Sequence, residues 1–113
     1  MGKLTLFLSK HILKGGSTFP GTVALKFDKN ILKKVSDGYK VILVTGTNGK
    51  TTTTTLVGEM MKAFNPETYV VGNIGNAFSE AVEQIPESGI VVAEVSSFQL
   101  ETANTFHPKV SAL

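Results

Sequence analysis

The sequence predicts an α/β fold: a mainly parallel sheet of about four strands with flanking helices. Three observations predict it. Short apolar, β-branched runs ("KVILV", "TYVV", "GIVVAEV") recur along the chain and end at glycine or a polar turn, as strands buried on both faces do. Segments of helical character separate them, and strands alternating with helices require βαβ crossovers, which are right-handed. No internal repeat interrupts this alternation, and the five threonines from Thr51 to Thr55 form the one low-complexity patch.

The opening sixteen residues place Leu4, Phe7, Leu8 and Ile12 at helical spacing among Lys3, Lys10 and Lys14. That pattern predicts a helix docked on its own domain. "KGGSTFPG" breaks it, and "DKNILKKVSDG" reads as a short helix capped at Asp28 or Asn30 and stopped at Gly38. "KVILVTG" is the first buried strand. Residues 50–63 follow as a helix with Leu56, Met60 and Ala63 on one side. "TYVVG" is the second strand. "AFSEAVEQI" is a helix turning Ala77, Phe78, Ala81, Val82 and Ile85 inward and Glu80 and Glu83 to water. "GIVVAEV" is the third strand, "SSFQLETANTF" a short helix or turn with Phe98 and Leu100 in the core, and "KVSAL" begins a fourth strand. An unpaired last strand would invite self-association through its exposed edge.

At 113 residues the chain is long enough for one modest core, and 42% hydrophobic against 18% charged residues is a globular composition. The absence of cysteine excludes disulfides and thiolate metal sites and fits a reducing, cytoplasmic setting. No run nears the roughly 18 apolar residues of a membrane span. The net charge of +2 hides an asymmetry: residues 1–50 carry nine Lys and two Asp, residues 51–113 two Lys and seven Glu. Lysines scattered in this way form a solvated face, and no aromatic–basic interleaving suggests nucleic acid. There is no arginine, so any cationic contact to phosphate falls to lysine.

The sequence is most informative at "VTGTNGKTTTTT". A buried strand, then "GTNGKT", then a helix is a phosphate-loop arrangement. Glycine lets successive N–H groups converge on one point, and the helix N-terminus adds positive potential there. Lys50 reaches phosphate as a point charge, and the Thr51 hydroxyl is placed to ligate Mg²⁺. The loop departs from the full G-x-x-x-x-G-K-[ST] spacing: Val44 stands where the first glycine belongs, which is displaced to Gly46. Thr52 to Thr54 occupy the first turn, where hydroxyls can serve N–H groups without helical partners. Thr54 and Thr55 are read more simply, as small β-branched residues against the sheet.

Two more stretches follow strands, where open α/β sheets bind ligands. "GNIGNAF" ends the second strand and "AEVSSFQLE" the third. Glu94 closes an apolar run, and a buried carboxylate demands a cation, so Glu94 pairs with Thr51 as a candidate Mg²⁺ ligand. Other residues carry less. His11 and His107 lack metal-ligand spacing and read as surface residues. Ser96 and Ser97 lack a nucleophile elbow. Glu101 reads as a cap or a solvent-facing residue.

In this order, "TGTNGKTTTT", "VVGNIG" and "AEVSSFQLE" resemble the ATP-binding central domain of the Mur ligases, and "GNIG" with "SSFQLE" is similar to the MurD branch, which adds D-glutamate. The resemblance covers about residues 41–113, a partial central domain behind an extension of residues 1–40. It implies that Gly46, Thr47, Asn48, Gly49, Lys50, Thr51 and Thr52 hold ATP, that Thr51 and Glu94 bind Mg²⁺, and that Lys50 and Glu94 are catalytic. It further implies that Asn73, Ser96, Ser97 and Gln99 contact a UDP-muramoyl substrate. A substrate carboxylate would attack the γ-phosphate, and an amine would displace phosphate from the acyl phosphate. The front of the chain resembles MurT-type subunits instead, which implies a glutamine amidotransferase partner and a mosaic chain. The family's next His, its metal-binding lysine, its adenine contacts and its C-terminal domain are expected beyond Leu113, so 113 residues alone would bind phosphate without turnover. A reading from another class is a non-catalytic α/β interaction module.

Overall fold

In the computed structural model, residues 33, 37–101 and 103–113 are described. The readings of a helix over Leu4–Ile12, of the break at residues 14–21, of a short helix capped at Asp28 or Asn30 and of His11 lie outside them. The remaining elements occur in the predicted order: β1 (Lys40–Val44), α1 (Lys50–Phe64), β2 (Thr68–Gly72), α2 (Phe78–Ala81), β3 (Ile90–Glu94), α3 (Ser97–Leu100) and β4 (Val110–Ala112). Gly38, read as a helix stop, adopts φ +86° just before β1, a left-handed conformation that suits glycine.

The four strands form one sheet of order β2-β3-β1-β4, and every pairing is parallel. The fold class is therefore as the sequence predicts. The last strand is not unpaired: β4 lies against β1, in register Val44 to Ala112. It is nonetheless an edge strand, exposed along its length. Val44, Glu94 and Gly72 are level across three strands, so the three loops that follow leave the sheet side by side.

Strand periodicity divides the sheet into two faces. One carries Val41, Leu43, Val71, Val91 and Ala93, and packs with Phe78, Ala81, Ile85 and Val95 into the main core. Tyr39 and Tyr69 pin this side by donating to the carbonyls of Val82 and Gln84. Helix α2 is shorter than expected, because after Val82 the hydrogen bonding tightens to a turn in which Gln84 N–H donates to the Ala81 carbonyl, yet it still buries Ala77, Phe78, Ala81 and Ile85. The opposite face carries Ile42, Val44, Val70, Val92 and Glu94, and α1 lies against it.

Helix α1 does not bury the side that carries Leu56, Met60 and Ala63. Leu56 and Met60 are 60% and 63% exposed, and Ala63 is exposed too. The buried positions are Thr54 and Gly58, one turn apart. Close approach decides this: a Cβ on Gly58 would stand 2.4 Å from Val70 Cγ2. The helix therefore sits nearer the sheet than Leu or Met would allow. Gly58→Ala should lower stability by about 1–3 kcal/mol, despite alanine's better helix propensity, because it overpacks this contact. Denaturant melts of the single variant and of Gly58→Ala/Val70→Ala would test this; the second change should recover part of the loss, and equal losses would refute the steric account.

Two further readings are corrected. Phe98 is 54% exposed, because in the single turn of α3 the inward positions fall to Gln99 and Leu100. Thr55 is exposed rather than against the sheet.

Candidate functional site

Strands β1 and β3 are neighbours, but their connections part: β1 feeds α1 on one face, and β3 feeds α3, whose Leu100 packs on the other. The crevice at their carboxyl ends is a topological switch point, where such sheets bind ligands. The loop of residues 45–49 opens there. Gly46 and Gly49 take φ +125° and +75°, and Gly49 is the N-cap of α1, with no side chain capping it. The Thr53 N–H donates to the Gly49 carbonyl at 2.9 Å, starting the helical ladder. The earlier N–H groups of the helix thus face the loop without an acceptor in the helix, as an anion-binding terminus requires.

Lys50 folds back over the loop, and its Nζ donates to the carbonyls of Gly46 at 2.8 Å and Thr47 at 3.3 Å. The ammonium is thereby held above the cradle. Thr47, Asn48, Gly49, Thr51 and Thr52 are exposed around it. The threonine hydroxyls do not cap N–H groups as expected. Thr54 Oγ1 donates to the Lys50 carbonyl at 2.7 Å and Thr55 Oγ1 to the Thr51 carbonyl at 2.8 Å, the back-bonding that Thr adopts within a helix. Thr54 is fully buried against the sheet, as the simpler reading had it.

Glu94 is the last residue of β3 and only 5% exposed. Its pairing with Val44 places its side chain on the α1 face, the face from whose helix Lys50 and Thr51 project. Its Oε2 is buried and accepts no hydrogen bond. An orphaned carboxylate oxygen beside a phosphate-type loop fits a hard cation, which takes oxygen donors such as carboxylate and hydroxyl. Among the described residues no cluster of three acidic, His or Cys side chains occurs, so any further cation ligands would be hydroxyl, water or phosphate oxygens.

The connections after β2 and β3 bring Asn73, Ser96 and Gln99 together, although 26 residues separate Asn73 from Gln99. Asn73 Nδ2 donates to Gln99 Oε1 at 3.1 Å, and the same oxygen accepts from the Ser96 backbone N–H at 2.9 Å and Ser96 Oγ at 2.7 Å. Gln99 is buried and Asn73 partly so, whereas Ser97 is exposed and stands apart from this network. His107 is exposed, as read, and so is Glu101.

Two residues escaped the sequence reading. Thr45 Oγ1 is buried without a partner at the end of β1; a threonine at a strand end carries no signal that would single it out. Gly72 has φ +105°, and a Cβ there would stand 2.1 Å from the Glu94 carbonyl oxygen. Its signal was present: a glycine closing an apolar strand marks close backbone approach.

The Mur ligase middle domain family model matches residues 44–112. Among curated proteins, the chain is similar to the UDP-N-acetylmuramoylalanine--D-glutamate ligase of Lachnospira eligens, 57% identical over 77 residues, which are 68% of this chain and 17% of that protein. The enzyme of the same name from Clostridioides difficile is 48% identical over 98 residues, covering 87% of this chain and 20% of that protein. The one from Alkaliphilus metalliredigens is 55% identical over 74 residues, or 66% and 16%. The chain thus spans about a fifth or less of the length of these relatives. The Clostridioides match is long enough to reach into the front segment, and the MurT likeness of that segment finds no support in these relatives.

Proposed function

This chain belongs to the Mur ligase family, matching its middle domain, and from that premise we propose that it is the ATP- and Mg²⁺-binding part of a ligase that adds D-glutamate to UDP-N-acetylmuramoylalanine in peptidoglycan precursor synthesis. A nucleotide-linked substrate of that kind supports a cytoplasmic location. The observation that carries the reading is Glu94: a carboxylate buried at the end of β3, with Oε2 unpartnered, on the face that bears Lys50 and Thr51. The relatives' names support the substrate assignment. Residues 41–113 form the partial central domain, and residues 1–40 are an extension to it.

In this reading the cradle of Gly46, Thr47, Asn48 and Gly49, with Thr52 beside it, directs N–H groups at the ATP phosphates, and Lys50 offsets their charge. Thr51 and Glu94 would hold Mg²⁺, which when bound neutralises charge on the transferring phosphoryl group. Asn73, Ser96, Ser97 and Gln99 would hold the muramoyl substrate so that its carboxylate meets the γ-phosphate in line. Most of the rate enhancement in such transfers comes from positioning and charge compensation.

Glu94→Gln tests this with two opposed readouts. Replacing an unpartnered buried carboxylate by a neutral isostere should raise stability by about 1 kcal/mol, which is a shift of about 4–8 °C in Tm for a chain of this size. In calorimetric titrations the same variant should lose the Mg²⁺ dependence of ATP binding. Unchanged Mg²⁺ dependence would exclude Glu94 as a ligand. A non-catalytic module would bind no nucleotide in wild-type form, and a MurT-like subunit would respond to a glutaminase.

A further inference from the structure

Helix α1 turns an apolar row to solvent. Leu56, Met60 and Phe64 recur four residues apart and are 60%, 63% and 80% exposed. Residues spaced by four form one ridge along a helix, and this ridge points away from Thr54 and Gly58, which face the sheet. Glu59 lines one flank of it, paired with Lys62 at 2.9 Å. The opening segment of the chain repeats the pattern. Leu4, Leu8 and Ile12 also recur four residues apart, and at helical spacing Lys3, Lys10 and Lys14 fall on one flank of that row.

The point where the chain enters the sheet brings the two rows within reach of each other. Strand β1 starts at Lys40, which is level with Ile90 and, across it, with Thr68 at the start of β2. Helix α1 ends at Phe64, four residues before Thr68, so the exposed row starts at the edge from which the chain arrives at β1. At up to about 3.3 Å per residue, residues 13–39 reach any point on α1, which is about 22 Å long.

We propose that residues 4–12 dock as a helix on the outer side of α1, the row Leu4–Leu8–Ile12 packing against Leu56–Met60–Phe64. Ridges of equal spacing and length interdigitate, at a crossing angle of about −50°. Size favours this occupant over a second copy of the chain. The row is about 13 Å long and one helix, about 10 Å, wide, far short of the roughly 800 Å² per partner of a stable complex. A segment tethered to the same chain needs less, because it meets the row at an effective concentration on the order of millimolar. Charge favours it as well. Residues 1–50 carry nine Lys against two Asp, residues 51–113 seven Glu against two Lys, and Glu59 and Glu67 are exposed on α1 and just beyond its end.

The chain has no cysteine, so an introduced pair reports alone. Leu8→Cys/Met60→Cys is compared with Leu8→Cys/Gln84→Cys, since Gln84 is exposed in the turn after α2, on the other side of the sheet. A short bismaleimide, matched to the roughly 8–10 Å between packed helices, should link the first pair within one chain at least about tenfold faster than the second. Equal rates would overturn the proposal, and a linked product of twice the mass would give the face to a second copy instead. A second measurement needs no cysteine. A soluble paramagnetic agent should broaden the Met60 methyl resonance several-fold more in Leu4→Asp/Leu8→Asp than in wild type, and equal broadening would overturn the docking. Wild-type chain that sediments with phosphatidylglycerol vesicles while its Met60 methyl stays open to the agent would assign the segment to a lipid surface and overturn it too.

Discussion

Lys50→Ala is expected to abolish measurable Mg·ATP binding, a loss of at least about a hundredfold in Kd, while leaving the fold intact. Among the described residues the lysine is the one cation of the cradle, and the chain contains no arginine to substitute for it. Its Nζ is held above the loop by two carbonyls, Gly46 at 2.8 Å and Thr47 at 3.3 Å, rather than by any residue of the core. A charge-assisted contact to phosphate is worth roughly 1.5–3 kcal/mol, and the same ammonium offsets the repulsion between the phosphates and Glu94. Both contributions vanish together in the variant. Because the lost hydrogen bonds are to a partly exposed loop, the denaturation midpoint should move little. Calorimetric titration alongside a chemical melt would read both. Retained ATP binding in a folded Lys50→Ala chain would remove the phosphate loop from the proposal, and a large loss of stability would mean that the lysine serves as a strut.

Gly72→Ala is expected to have the largest structural effect of any single methyl added to the sheet. The residue ends β2 level with Glu94 and has φ +105°, where L side chains are strained. Its Cβ would stand 2.1 Å from the Glu94 carbonyl oxygen and 3.1 Å from the Glu94 amide nitrogen. No rotamer relieves a clash between a Cβ and a neighbouring backbone, so β2 and β3 must separate where Asn73 N–H donates to the Glu94 carbonyl. Strain and the broken bond together should cost about 3 kcal/mol or more, a large part of the stability of a small domain. Thermal melts should show a Tm lower by more than about 10 °C, and any remaining folded chain should have lost the Asn73–Gln99 contact. A Tm within a few degrees of wild type would show that the strands can move apart freely.

Gly72 and Gly58 show how far the sequence reached. Both glycines were legible as residues in a strand end and a helix, but what surrounds each depends on a partner strand. Gly58 matters because Val70 faces it, and that pairing of surfaces decides which side of α1 is buried. Hydropathy alone favours the side with Leu56 and Met60, and steric approach overrides it. Phe98 fails for a related reason: a single helical turn has one inward direction, and Leu100 and Gln99 take it.

By itself the sequence determined the parallel α/β class, the four strands in order, the glycine-bearing loop with Lys50 at its helix start, and Glu94 as a carboxylate closing an apolar strand. These are local properties: periodicity, β-branched runs, glycine at turns and the desolvation of a charge at the end of an apolar strand. Tertiary structure alone decided that β1 and β3 are neighbours with Val44 beside Glu94, that β4 closes onto β1, and that Asn73 meets Gln99 across 26 residues. Strand order and register are set by which surfaces bury one another. They rest on contacts between residues far apart in the chain, which no local pattern encodes.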